Sequence, residues 1–343
     1  MMSRSLQAFD QAEPLSRQLQ DVRDVRTVAV FDTYATSFNA GDAIIMDSVW
    51  AELRAIFDTS VFVTIPTHDH PGPQAYRALD AADLALVGGT NLLASHMDQY
   101  KQWKVAGAEM LRLRNLVLMG VGWWQYQDEP NLYTRSLLRT ILHPTRLHSV
   151  RDGYTERKLR SIGIDNVVNT GCPTTWRLGV EHCASIPVAK GESVLLTFTD
   201  YKPNIEADRY LYAILRRHYG RVIFWLQGRG DWVYAKEILD PDVEVVGGTL
   251  AALDRVLTEI DSIDYVGTRL HAGVRALQHG RRSLILAVDN RATEMGHDMN
   301  LPVIDRENAG GIESAVAADR PTRVKLPEAA IARWKSQFLE SAE

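Results

Sequence analysis

The chain has only two cysteines in 343 residues, Cys172 and Cys183. That is too few for a disulfide framework, and their spacing fits no zinc motif, so a reducing, cytoplasmic setting is expected. Charge of one sign is also lacking. Thirty-eight Lys and Arg against 43 Asp and Glu leave a formal −5. This argues against a general binder of nucleic acid or anionic membrane, but leaves room for a local basic pocket. Long apolar runs are missing. The strongest, such as Ser283–Val288, are strand-sized and cannot span a bilayer, so no transmembrane segment is expected and only peripheral contact with a membrane stays open. Met1–Asp24 is polar and mixed in charge, with no apolar centre, and does not read as a signal peptide. A Walker lysine loop, a nucleophile elbow, a Ser-His-Asp order and a complete GxGxxG fingerprint are all absent. Thr67-His68-Asp69-His70 holds two histidines and an acid but no partner cluster, so it reads as a polar loop and not as a metal site.

What is present is an ordinary globular composition, 45% apolar and 24% charged. The length favours two domains. Short runs rich in Val, Ile and Leu recur at Thr27–Thr33, Val61–Thr67, Leu84–Thr90, Leu116–Gly122 and Leu147–Asp152. They lack polar alternation, as expected of strands buried on both faces. Ala43–Phe57, Asn91–Arg112 and Asn131–Leu142 read as helices between them. The second half repeats the pattern with strands at Val194–Thr199, Arg221–Gln227, Val243–Gly248, Tyr265–Thr268 and Leu284–Asp289. Glu206–Tyr219 and Ala272–His279 read as its helices, and Pro327–Leu339 as a last helix begun by proline. The expected fold is α/β, with two Rossmann-like domains of parallel sheet. Residues 1–175 form the first, 193–326 the second, 176–192 the linker and 327–343 a C-terminal helix.

In open α/β sheets, ligands sit beyond the carboxyl ends of the strands. The loops to examine are therefore 39–42, 88–91, 120–124, 151–152, 227–231, 268–273 and 289–291. In Asn39-Ala40-Gly41-Asp42 the glycine permits a tight turn and the following helix start favours an anion. Asp42 is either a helix cap or a group that orients or deprotonates a hydroxyl. Gly88-Gly89-Thr90-Asn91 and Gly120-Val121-Gly122 let a ligand or the other domain approach the backbone. Trp123 and Trp124 are either a sugar-stacking platform or interdomain packing. Arg151 either forks onto a phosphate or carboxylate or pairs with neighbouring acids. The strongest cluster is Thr268-Arg269-Leu270-His271-Ala272-Gly273, where a permanent cation and a titratable imidazole share a helix start after a strand.

Taken in order, these pieces resemble the polysaccharide pyruvyl transferase family. The matching segments are Asn39-x-Gly41-Asp42, Gly88-Gly89, Gly120-x-Gly122, Ser149-Val150-Arg151-Asp152, Gly171-Cys172-Pro173 and Arg269-Leu270-His271-Ala272-Gly273, followed by Asp289. The resemblance implies the GT-B glycosyltransferase architecture, phosphoenolpyruvate as donor substrate and a saccharide as acceptor, free or lipid-linked. No other cofactor and no metal are expected. Arg269 and His271 match the family's donor-binding and catalytic segment, and Arg151 its other charged turn. On this reading Arg269, Arg151 and Gly41 hold the donor. His271 is the acid and Asp42 the group at the hydroxyl, while Asn39, Asn91 and Trp123 face the acceptor on the first domain. Three positions depart from the family pattern. Thr90 stands where a third glycine is common. Gly280-Arg281-Arg282-Ser283 replaces a common Gly-Val-Pro, and Asn290 and Arg291 replace a lysine after the last strand. A nucleotide-sugar glycosyltransferase and a non-catalytic glycan- or anion-binding protein on the same fold are the alternatives.

Overall fold

The computed structural model describes residues 26–105 and 112–339. The segment Met1–Asp24, read above for a signal peptide, lies outside them. The first half runs β1 (Thr27–Asp32), α1 (Ala40–Ile56), β2 (Val61–Pro66), α2 (Pro73–Asp80), β3 (Leu84–Gly88), β4 (Leu116–Met119), α3 (Leu132–Ile141), β5 (His148–Val150), α4 (Gly153–Ser161) and β6 (Val167–Asn169). A 3₁₀ turn at Pro173–Thr175 and α5 (Val180–Ser185) lead onward. The second half runs β7 (Ser193–Thr197), α6 (Ile205–His218), β8 (Arg221–Trp225), α7 (Asp231–Ala235), β9 (Glu244–Val246), α8 (Leu250–Glu259), β10 (Ile263–Gly267), α9 (Leu270–Gln278), β11 (Ser283–Ala287), α10 (Asn290–Met299), β12 (Val303–Asp305) and α11 (Ala309–Ala317). The last helix is α12 (Glu328–Ser336). No described helix is long and apolar enough to cross a membrane.

All strand pairings in both sheets are parallel. The first sheet is ordered β2-β1-β3-β4, and a bridge between Val121 and Val150 carries it on to the β5-β6 pair. The second is ordered β12-β11-β10-β7-β8-β9. Each order reverses once, between β1 and β3 in the first and between β7 and β10 in the second. At such a switch point the flanking loops part and leave a crevice at the strands' carboxyl ends. The central strands lack alternation because helices cover both faces: β7 and β10 are buried at every position.

One expected helix is absent. Asn91–Lys104 forms turns and a single bridge, and residues 106–111 lie outside the described set. The reason is visible in where its backbone groups go. Leu93 N–H donates to the Gly122 carbonyl, the Trp124 N–H to the Leu93 carbonyl and Ser95 N–H to Gln127 Oε1.

The chain's end returns to its beginning. Gln337 exchanges hydrogen bonds with both backbone groups of Leu147 at 2.8 and 3.0 Å, and Lys335 pairs with Glu52. Trp334, fully buried, packs edge-on against Trp176 and Phe338, and Phe338 in turn meets Phe57 at the end of α1.

Candidate active site

The two switch points face one another across a cavity of about 430 Å³. From the first sheet it takes Asn39, Gly41 and Asp42 after β1 and Thr90 and Asn91 after β3; Gln102, Trp124 and Gln125 lie at its rim. From the second it takes Tyr201, Lys202, Gln227, Arg269, His271, Asp289, Asn290 and Arg291.

Asn39 caps α1, accepting from Gly41 N–H at 2.9 Å. The same Oδ1 accepts from Gln227 Nε2 at 3.0 Å, and Ala40 N–H reaches the Gln227 carbonyl, so the helix start is tied to the opposite sheet. The choice left open for Asp42 is thereby narrowed. It is not the cap but a buried carboxylate in the first turn, accepting from Ser37 Oγ at 2.6 Å and Thr90 Oγ1 at 3.3 Å. Burial raises its pKa above the usual carboxylate range, and the hydrogen bonds and His68 only partly oppose this. Thr90 reaches it from a left-handed backbone, φ +56°, directly after Gly89 at φ +59°. A β-branched residue is a rare occupant of that region.

Across the cavity Arg269 caps α9 by position and is 4% exposed. Its Nε donates to the Phe198 carbonyl at 3.0 Å and its Nη2 pairs with Asp200 and Asp231. Arg291 is gripped likewise: Nε and Nη2 hold Asp289, and Nη2 meets the Tyr201 hydroxyl. Burial opposes the charge on Asp289, but Arg291 and, at longer range, Arg151 hold its carboxyl down to about 2. Neither guanidinium makes a hydrogen bond through Nη1 among the described residues. His271, in the first turn of α9, is buried, and its Nε2 lies 3.8 Å from Cys172 Sγ. Burial, then the positive charges of Arg291 and Arg151, push its imidazole down to about 3, so it is neutral near pH 7.

Two expected contacts are corrected. Trp123 is fully buried in the first sheet's core, its indole N–H on Gln127 Oε1. Its neighbour Trp124 lines the cavity instead, stacked on Tyr100 with centroids 3.9 Å apart and planes 12° from parallel. Arg151 does not line the cavity either. It is 1% exposed, paired with Asp152 and bonded to Asn91, and it lies so close beneath Gly122 that a Cβ there would fall 2.2 Å from its Cζ. It reaches the cavity only through Asn91 and through its field. Asn39, Gly41, Asp42, Asn91, Arg269 and His271 all line it. Gln227, Asp289 and Arg291 were marked by their places after strands but given no role; Tyr201, Lys202 and Gln102 were not singled out. Nothing local ranks Arg291 above Arg281 or Arg282, and only the fold does so. The described residues hold no cluster able to bind a metal ion.

The arrangement offers one buried guanidinium group and one half-buried, a neutral imidazole and a carboxylate of raised pKa around one cleft, with an aromatic plate at its mouth. Such a site can hold a compact polyanion and move protons beside it. Residues 39–290 match the model of the family described as polysaccharide pyruvyl transferase. Among solved structures, the S. aureus MnaA-UDP complex aligns with a TM-score of 0.53 at 13% identity, over 92% of this chain and 97% of that one. Arabidopsis thaliana UGT89C1 complexed with quercetin gives 0.43 at 12% identity, over 93% and 96%. The UDP-GlcNAc 2-epimerase from Neisseria meningitidis bound to UDP-GlcNAc gives 0.42 at 12%, over 92% and 98%. At 13% identity the likeness to the first of these is one of fold alone, a GT-B-like pair of lobes. No curated protein matches the chain.

Proposed function

The chain belongs to the polysaccharide pyruvyl transferase family, and from that premise we propose that it moves the pyruvyl group of phosphoenolpyruvate onto two hydroxyls of a saccharide, forming a cyclic ketal and releasing phosphate. The observation that carries this reading is the meeting of Arg269, Arg291 and His271 in one cleft with Asp42 opposite. Phosphoenolpyruvate places a phosphate and a carboxylate close together. Two guanidinium groups whose other nitrogens are already held by Asp200, Asp231, Asp289 and Tyr201 offer pre-positioned Nη1 donors for such a pair.

The enol must gain a proton at its methylene carbon while a sugar hydroxyl attacks the central carbon. His271 is the acid of this reading. Burial and two arginines disfavour its charge and keep it neutral. A bound phosphate and carboxylate reverse that field, so donor binding takes up a proton. Asp42, on the other wall, receives the hydroxyl's proton, a role its raised pKa suits. Trp124 on Tyr100 supplies the flat apolar face that a sugar ring uses. The donor is the only small molecule this chemistry requires besides the acceptor, which is free or lipid-linked.

The test is phosphate release from phosphoenolpyruvate across galactosides, glucosides and mannosides, with mass spectrometry of the glycan. An active acceptor gains pyruvate less one water. Arg291→Met raises the donor Michaelis constant about tenfold to a hundredfold, the worth of a charge-assisted hydrogen bond, and His271→Ala cuts turnover about 10²-fold or more. Near-normal turnover of His271→Ala would remove the acid assignment. Phosphate release with no pyruvylated glycan would remove the transfer itself.

A further inference from the structure

Ketal formation takes two protons from the acceptor, one from each hydroxyl. Phosphoenolpyruvate and a diol give the ketal and hydrogen phosphate: one proton ends on the new methyl group and one on phosphate. A single carboxylate beside the hydroxyls can hold only one of them at a time. Asp42 must therefore be emptied between the two attacks or be spared the second.

The polar segment Thr67-His68-Asp69-His70, which the site so far does not use, bears on this. It follows β2, the neighbour of β1, and brings His68 Nε2 to 3.9 Å from Asp42 Oδ2. The other ring nitrogen, Nδ1, lies 3.1 Å from the Gln102 carbonyl oxygen. A carbonyl oxygen only accepts, so Nδ1 carries the hydrogen. Nε2 then carries the free lone pair, and it is the nitrogen that faces Asp42. The His68 side chain is 17% exposed, against 9% for Asp42, so the imidazole has the freer access to water. The remaining groups around Asp42 are the Ser37 and Thr90 hydroxyls, which donate to it, and the charge of Arg291. None of these accepts a proton from a carboxylic acid.

We propose that Asp42 and His68 act as a pair, in which His68 takes from Asp42 the proton of the first sugar hydroxyl and passes it to water, so that Asp42 is a carboxylate again when the second hydroxyl attacks. In the first step the hydroxyl oxygen bonds to the central carbon, its proton goes to Asp42, and His271 protonates the methylene. In the second the carbon–oxygen bond to phosphate breaks, the other hydroxyl bonds to the same carbon, and Asp42 takes its proton and passes it through His68 to water as before. Water returns one proton to the departing phosphate and one to His271, so the diol's two protons are matched by the one on the new methyl group and the one on phosphate. His68 touches no reacting atom and works through Asp42. This inference rests on the reading of the site given above.

The test has two arms. The first is NMR titration of the His68 ring in the full chain and in Asp42→Asn, without substrate. The expected result is a midpoint lower by half a pH unit or more in Asp42→Asn, because a facing carboxylate favours imidazolium. An unchanged midpoint overturns the pair, whatever the reaction proves to be. The second arm is steady-state pyruvyl transfer with the acceptor found above. His68→Ala is expected to lose tenfold or more in turnover, with the donor Michaelis constant within twofold, and added imidazole should restore at least a third of the loss. Turnover within twofold of the parent, or a loss that imidazole leaves untouched, overturns the relay. A parent that transfers no pyruvyl group fails the functional reading, and the titration alone then decides whether the two side chains share a proton.

Discussion

Among the described residues, no carboxylate is in hydrogen-bonding contact with His271. Its ordinary midpoint, near 6.5 in the unfolded chain, falls to about 3 in the folded one. Between those values the unfolded chain binds a proton that the folded chain refuses, so this group makes stability rise with pH across that window. Its contribution is fully present above about 6.5 and is lost as pH falls toward 3. His271→Asn removes the group, and urea denaturation at pH 6.5 and 4.5 should show a smaller loss for the variant than for the parent. Equal losses would mean that the imidazole is not held neutral. Asp42, with its raised pKa, acts in the opposite sense, and buried His148, pushed down to about 4, in the same one. Both are present in parent and variant, so the difference isolates His271. Arg269 and His271 were legible in sequence because two chemically rare neighbours open a helix after a strand. The tryptophans were not: adjacent residues of an extended segment point to opposite sides, and local sequence does not say which side is the cleft. Nor was Arg291, whose partner Tyr201 lies ninety residues away in the chain.

The start of α1 is the element on which the first wall of the cleft depends. Asn39 satisfies the Gly41 N–H, holds Gln227 of the opposite lobe and fixes where Asp42 points. Asn39→Ala should cost about 1 kcal/mol, the usual worth of such a cap, whereas Asn39→Asp keeps the acceptor oxygen and should cost less. Denaturant midpoints of the two variants check this ordering, and a milder effect of alanine would show that the cap is idle. At this scale most strands were legible, because parallel strands covered on both faces leave unbroken apolar runs such as VAVF in β1. The helices α8, α10 and α11 were not picked out, since each buries only a thin stripe, such as Leu253 and Leu257 in α8 and Ile312 and Val316 in α11. The helix expected over Asn91–Arg112 fails in its described part for another reason. Its apolar residues fitted a helical count, but their backbone groups are spent on the loop at 122–127, a partner no local pattern reveals.

For the molecule as a whole, two switch points face each other across the cleft, and the last helix ties the end of the second lobe back to the first. α12 follows the second sheet in the chain, yet its side chains are spent on the first lobe and the segment after it: Lys335 on Glu52, Gln337 on Leu147, Phe338 on Phe57 and Trp334 on Trp176. Trp334 is the centre of this contact and is fully buried. Its truncation to alanine leaves a cavity the size of an indole among rings that cannot all close on it, at a cost of about 3–5 kcal/mol. Its indole N–H has no hydrogen-bond partner among the described residues, so Trp334→Phe keeps an aromatic ring, deletes a donor those residues leave unpaired and should cost much less. The site lies at the other end of α1, seventeen residues away along the helix, or roughly 25 Å at 1.5 Å per residue. Loss of Trp334 should therefore lower the denaturation midpoint while leaving turnover per folded molecule, measured well below that midpoint, within about twofold of the parent. A stable Trp334→Ala would show that α12 is an ornament on the first lobe. A stable fold with collapsed turnover would show instead that the helix sets the angle of the cleft, because the contact would then be felt at the far end of α1 and not where it is made.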